Sequence, residues 1–275
     1  MNILFCGLGS IGKRHVRLLR DNFPEHELYA FRSGNGNGSA IGVYETNSWD
    51  FVEQLKPDIC FITNPTQYHT GRALLCAMLP SHVFVEKPVS NQTKGLLALR
   101  IKLFKHRKIS MVGYNMRFHP RLQELKGQAG GIRGATIVCA TDASKWPGQR
   151  DLNHVMLELS HELDYASWLF GPILAMHGYT ERFWSNFMLF HEGGCSSHIA
   201  LDMAADKEER YIVADGEYID LRVSEEERDE MFLRQLEYFF DCVKAGREPS
   251  PNVEEATRLL SKILEFKARF PVGGN

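Results

Sequence analysis

The sequence predicts a doubly wound α/β domain followed by an α+β domain with a mostly antiparallel sheet, on three observations. Short apolar runs alternate with longer amphipathic ones over residues 1–115, a glycine-rich turn joins the first pair, and beyond Pro120 the runs become closely spaced and turn-separated. In the first part the candidate strands are Asn2–Cys6, Glu27–Arg32, Ile59–Thr63, His82–Glu86 and Ile109–Tyr114. Between them Ile11–Asp21, Trp49–Leu55, Tyr68–Met78 and Lys94–Phe104 carry apolar residues at helical spacing. Strands separated by helices pair in parallel through crossovers.

In the second part Ala135–Ala143, Ile173–Trp184, Asn186–His191, Cys195–Met203, Glu209–Ala214 and Glu217–Val223 read as strands. Turn signals such as Glu192-Gly193-Gly194 and Asp215-Gly216 separate them. Connections this short imply antiparallel neighbours. A helix over Val155–Phe170, closed by Gly171-Pro172, interrupts the strands, and Glu225–Ala245 and Val253–Phe270 follow them. Met231, Phe232, Leu236, Phe239 and Phe240 fall on one stripe and read as core, with Ser224 as N-cap. The expected division is 1–118 for the first domain and 119–275 for the second, the final helices packing back on the first. The Gly34–Gly38 stretch reads as a loop.

Composition excludes several classes. The chain of 275 residues is 44% hydrophobic and 24% charged, a globular balance that leaves no room for a disordered or collagen-like protein. With 32 Lys+Arg against 34 Asp+Glu, no electrostatic reason favours nucleic acid or an anionic membrane as partner. The longest apolar run, Ala73–Leu79, ends at Pro80, well short of the roughly 18 residues that span a bilayer. The start of the chain lacks the pattern of a secretory signal, and the six cysteines form no CxxC pair, so a soluble, cytoplasmic protein with reduced thiols is expected. No histidine pair has the spacing of a zinc helix, and no metal is expected. His177, His191 and His198 read as ordinary sheet residues.

The most specific signal is Gly7-Leu-Gly9-Ser10-Ile11-Gly12 between the first strand and first helix. In that context GxGxxG is a dinucleotide-binding (Rossmann) loop: Gly7 for the tight turn, Gly9 for backbone approach to a pyrophosphate, Gly12 for close helix packing. No Asp or Glu appears from Tyr29 to Tyr44, where an NAD enzyme carries its ribose-binding acid. Arg32 and Ser33 stand there instead, and a guanidinium fork suits a 2′-phosphate, so NADP is expected over NAD.

Ligands of such sheets bind at the carboxyl ends of the strands. The third candidate strand ends in Thr63-Asn64-Pro65-Thr66-Gln67-Tyr68-His69, the fourth in Glu86-Lys87-Pro88, and the fifth in Tyr114-Asn115-Met116-Arg117-Phe118-His119-Pro120. From these ends Thr63, Asn64, Pro65, His69, Glu86 and Lys87 read as cofactor contacts. Lys87 can also donate to a substrate oxygen.

These motifs, with Lys13-Arg14-His15 behind the glycines, His161-Glu162-Leu163-Asp164 and Trp168-Leu169-Phe170-Gly171, together resemble the glucose-fructose oxidoreductase / inositol dehydrogenase / MocA (Gfo/Idh/MocA) family. The resemblance implies a two-domain NAD(P)-dependent oxidoreductase acting on sugars, inositols or sugar nucleotides. It also implies a homodimer or homotetramer formed through the outer face of the second sheet. By position it makes Lys87 the catalytic lysine and His161 the acid/base histidine, with Asp164 one helical turn on. An imidazole titrates near working pH and suits transfer of the hydroxyl proton that accompanies hydride transfer.

The chain departs from the family in carrying Leu157 where many members have an aspartate, with Glu158 one position later. Residues 145–151 resemble a shortened substrate loop, in which Trp146 is placed to stack on a sugar and Arg150 to hold an anion. The wording of residues 158–165 is most similar to members tied to surface polysaccharide pathways. On that resemblance the substrate is an amino or acidic sugar, free or nucleotide-linked, with Arg117, His119 and Arg150 the candidates to read its anionic part and Asn115, Glu158 and Asp164 also in reach. A catalytically silent NAD(P)-binding sensor or scaffold on the same fold is the alternative.

Overall fold

The computed structural model describes residues 1–32, 42–145 and 154–270. Ser33, Trp146 and Arg150, named above as ligand contacts, lie outside the described residues. The chain divides into two compact units, Met1–Gly113 with Phe232–Thr257, and Tyr114–Met231 with Arg258–Asn275.

The first unit holds β1 (Asn2–Cys6), α1 (Ser10–Asn22), β2 (Glu27–Phe31), β3 (Tyr44–Thr46), α2 (Trp49–Leu55), β4 (Ile59–Ile62), α3 (His69–Cys76), β5 (His82–Val85), α4 (Leu96–Lys105) and β6 (Ser110–Val112). The strands form one parallel sheet in the order β3-β2-β1-β4-β5-β6. Chain order reverses at β1, which pairs with β2 on one side and β4 on the other. Successive residues Ile3, Leu4 and Phe5, and Ile59 to Ile62, are 0% exposed. Both faces of these strands are covered, which is why they read as unbroken apolar runs. The doubly wound expectation therefore holds. Strand β3 was not anticipated, because its three residues, exposed or half-buried at the sheet edge, carry no alternating pattern. Helix α3 starts one residue later than expected, after a 3-10 turn over Thr66–Tyr68.

The second unit contains α5 (Pro120–Gln128), β7 (Gly134–Asp142), α6 (Val155–Glu158), α7 (Ser160–Phe170), β8 (Ile173–Thr180), β9 (Trp184–His191), β10 (Ser196–Asp202), β11 (Ala204–Ala214) and β12 (Glu217–Asp220). Its sheet runs β12-β11-β7-β10-β9-β8. All its pairings are antiparallel except β7 with β10, which run parallel. That pair is joined by two helices and a hairpin, a connection long enough for a crossover.

Three local readings change. The run Ile173–Trp184 is strand β8 followed by a tight reversal, in which the Glu181 N–H donates to the Trp184 carbonyl at 2.8 Å, and Trp184 already opens β9. The helix expected over Val155–Phe170 is broken at Leu159, whose φ of −98° and ψ of 37° are not helical. Helix α5 was not anticipated, although Pro120 at its first position and the His119 cap are both start signals.

Two long helices close the chain, α8 (Glu225–Ala245) and α9 (Val253–Lys267). Ser224 caps α8 as expected and forms a capping box: its hydroxyl accepts from the Glu227 N–H at 3.2 Å, and its own N–H donates to the Glu227 carboxylate at 2.7 Å. Cys6, Cys60, Cys76, Cys139, Cys195 and Cys242 are all free and buried. Among the described residues no helix is long and apolar enough to cross a membrane.

Candidate functional site

The glycine loop follows β1. Gly7 has a φ of +108°, and a Cβ there would lie 2.9 Å from the backbone of Asn64. A Cβ on Gly12 would lie 2.6 Å from the Gly7 carbonyl oxygen, the oxygen to which the Thr63 hydroxyl donates at 2.7 Å. The protein itself thus requires glycine at both positions. Gly9 differs: a Cβ there would meet nothing within 4 Å. It is also the N-cap of α1, the helix end whose first N–H groups have no partner within the helix. Those donors, with Ser10 and Ile11 opening the helix, fit the pyrophosphate of a dinucleotide.

At the end of β2, Arg32 donates from its backbone to the Thr46 carbonyl at 2.9 Å, and its Nη1 reaches Glu45 Oε2 at 2.7 Å. An acid does therefore stand beside the second strand. It arrives from β3, through the pairing of Ala30 with Glu45, one position beyond the acid-free stretch from Tyr29 to Tyr44.

The loops after β4 and β5 hold one another. His69 is 2% exposed, with Nδ1 2.9 Å from the Pro88 carbonyl and Nε2 2.7 Å from that of Asn64. Burial pulls its pKa below the ordinary histidine value, against the upward pull of both carbonyls. Glu86 turns inward, its Oε1 meeting His15 Nε2 at 2.7 Å. Its carboxyl group also lies 2.9 Å from where a Cβ on Gly113 would sit, so any side chain there would displace that carboxyl group. His69 and Glu86, expected as cofactor contacts, thus have their polar atoms spent on holding loops. Lys87, on a backbone N–H that donates to Glu86 Oε2 at 3.2 Å, follows directly and precedes a cis bond to Pro88.

In the second unit His161 lies in the first turn of α7, its ring packed edge-on to Tyr114 at 5.7 Å. Burial and the Asp164 charge raise the Tyr114 pKa far above its usual value, so this ring is a neutral wall. One turn on, Asp164 takes Arg117 in a two-point grip, Nε to Oδ2 at 2.8 Å and Nη2 to Oδ1 at 2.7 Å. Both are buried. His119 is 3% exposed and accepts the Arg121 N–H at 3.2 Å as cap of α5. Burial, with the nearby Arg210 charge, pushes its pKa down to about 4. The expectation that Arg117 and His119 read an anionic substrate is corrected here: one cation is neutralised by a carboxylate, and the other group is uncharged at neutral pH.

Asn115 is buried in a 3-10 turn over Asn115–Phe118, Glu158 ends α6 half-buried, and Leu157 is 2% exposed core. The reading missed the interior pair of Glu162, 0% exposed in its side chain, with Arg210 at 2.8 Å. No spacing rule links positions so far apart. Among the described residues no group of three or more His, Cys, Asp or Glu could hold a metal ion.

Residues 1–114 match a family described as an oxidoreductase family with an NAD-binding Rossmann fold. The uncharacterized oxidoreductase YrbE of Bacillus subtilis (strain 168) is 27% identical over 190 residues, which is 60% of this chain and 52% of that protein. The chain therefore spans about half the length of the curated relative it matches. Among solved structures, a "probable dehydrogenase" of Thermotoga maritima superposes with a TM-score of 0.82 at 19% identity, covering 97% of each chain. The WlbA dehydrogenase of Bordetella pertussis, in complex with NADH and UDP-GlcNAcA, does so with a TM-score of 0.80 at 16% identity, over 99% of this chain and 96% of that one. At these identities the structural likenesses show a shared fold.

Proposed function

We propose, from the match of residues 1–114 to the Gfo/Idh/MocA oxidoreductase model, that the chain is a member of that family and catalyses NAD(P)-dependent interconversion of a secondary alcohol and a ketone. The substrate class is a sugar, an amino or acidic sugar, or a sugar nucleotide. The observation that carries the cofactor half is Gly9, where the loop leaves open what its other two glycines need for packing. The WlbA complex, with its nucleotide-linked acidic sugar, supports the substrate class.

When bound, the nicotinamide supplies the hydride acceptor and donor. Lys87 donates a hydrogen bond from Nζ to the substrate oxygen and stabilises the negative charge that builds there as the hydroxyl proton leaves. His161 takes that proton on its imidazole in oxidation and returns it in reduction. Oxidation thus leaves one proton on the histidine for each hydride given up. Tyr114 keeps one side of the imidazole dry. Arg117 and Asp164 hold the segment before α5 to α7 and so fix Tyr114 and His161 in one frame.

The cofactor reading is NADP, supported by Arg32 at the end of β2, whose fork Glu45 aligns. Arg32→Ala should weaken NADP binding far more than NAD binding. A homodimer or homotetramer in the cytoplasm accompanies this reading, supported by Leu174, Tyr179, Trp184 and Phe190, all exposed on β8 and β9. The test is to mix purified protein with NADP or NAD and a panel of sugar nucleotides, uronic acids and amino sugars, and follow absorbance in the reduced-nicotinamide band. Turnover with one of them upholds the reading. Cofactor binding with no turnover anywhere favours the silent scaffold.

A further inference from the structure

We propose that Arg72, on α3, supplies beside the Arg32 fork the net positive charge that reads the 2′-phosphate at the adenosine end of the cofactor, an inference that rests on the NADP reading above. Its guanidinium lies 4.5 Å from the centre of the Phe31 ring and 5.2 Å from that of Trp49. Those two rings meet edge-on at 5.3 Å and form a corner for it. Phe31 is the last residue of β2, the strand whose carboxyl end faces the ribose in dinucleotide folds. Helix α3 follows β4, and the strand order β2-β1-β4 sets the glycine loop after β1 between them. Arg72 therefore reaches from the helix after β4 to the tip of β2, past β1, the strand that the glycine loop follows.

The charges sharpen the assignment. Arg32 is held by Glu45 at 2.7 Å, so that pair adds no net charge. Among the described residues no hydrogen bond or ion pair engages the Arg72 guanidinium, which is held by aromatic faces alone. Stacking fixes the plane and leaves the N–H edge for a ligand, the arrangement in which a guanidinium grips a phosphate through two oxygens. A half-buried arginine with its edge unspent, beside one already neutralised, supplies the positive charge that a 2′-phosphate needs.

The test is calorimetric titration of NADP and NAD into the full chain, for wild type, Arg72→Gln and Arg72→Lys. For Arg72→Gln the ratio of the NAD Kd to the NADP Kd should fall roughly tenfold or more, with NAD binding kept within about threefold. Arg72→Lys, which keeps the charge and loses the fork, should fall between. An unchanged ratio in Arg72→Gln, or equal weakening of both cofactors, overturns the proposal. If Arg72→Gln does not fold, Arg72→Lys decides: a fall in the ratio upholds the role and an unchanged ratio overturns it. The wild-type ratio judges the NADP reading separately. Wild type preferring NAD sinks that reading, while the shift on substitution still reports whether Arg72 meets the 2′-phosphate.

Discussion

The glycine loop of the first unit and the histidine helix of the second encode chemistry in different ways. In the loop, function is written in backbone: Gly7 and Gly12 are demanded by oxygen and backbone atoms within 3 Å, and Gly9 by none of the described residues. On the helix, function is written in side chains whose meaning depends on their partners. Asp164 looks like a substrate contact until Arg117 is found on both its oxygens. A local backbone rule can be read from neighbours in sequence, whereas a pairing across 47 positions cannot.

The comparison can be broken most forcefully at that ion pair. Asp164→Ala removes the carboxylate that compensates the buried Arg117 charge, and breaking a buried ion pair costs about 3–5 kcal/mol, so calorimetric melting should show a large drop in stability. Unchanged melting with a large loss of turnover would show instead that the pair faces the ligand. Lys87→Met comes next: kcat should fall on the order of 100-fold or more, with NADP affinity within a few-fold by titration. A fully active variant removes Lys87 from the chemistry.

The two loop glycines sharpen the contrast from the other side. Gly12→Ala pushes a methyl against the Gly7 carbonyl and should cost about 1–3 kcal/mol in denaturant unfolding. Gly9→Ala should leave stability within about 0.5 kcal/mol while weakening cofactor binding. Equal destabilisation by both would mean that Gly9 too is there for packing.

The smallest effect concerns acid. His119 and His154 both accept a cap N–H, from Arg121 and Met156, which only an unprotonated ring nitrogen can do. Burial, aided by Arg210 for the first and Lys267 for the second, lowers each pKa from 6.5 to about 4. Between those values the unfolded chain binds more protons than the folded one, so stability falls as pH drops from 6.5 towards 4. Melting followed across that window should show the decline. The double variant with asparagine at 119 and 154, a good cap that does not titrate, should flatten it.

What was legible follows the same physics. The central strands of the parallel sheet announced themselves because both their faces are buried, and the glycine loop because Gly7 and Gly12 obey backbone constraints and Gly9 stands at its fixed spacing between them. Strand β3 stayed hidden as a short edge piece. Leu159 gave no warning of the break before His161, since nothing in its side chain opposes a helix. Glu45 became a partner of Arg32 only once β2 and β3 were in register. Arg72 belongs to no motif and is singled out only by the Phe31 and Trp49 rings against it in the fold.

The buried thiols provide a native gauge of opening. Cys6, Cys60, Cys76 and Cys242 fall in the first unit, and Cys139 and Cys195 in the second. Thiolate chemistry needs contact with solvent, so an alkylating reagent can mark each sulfur only while its surroundings are parted. The order in which the adducts accumulate would therefore reveal, without any added label, which half of the molecule breathes first, and whether a bound dinucleotide quietens one half alone.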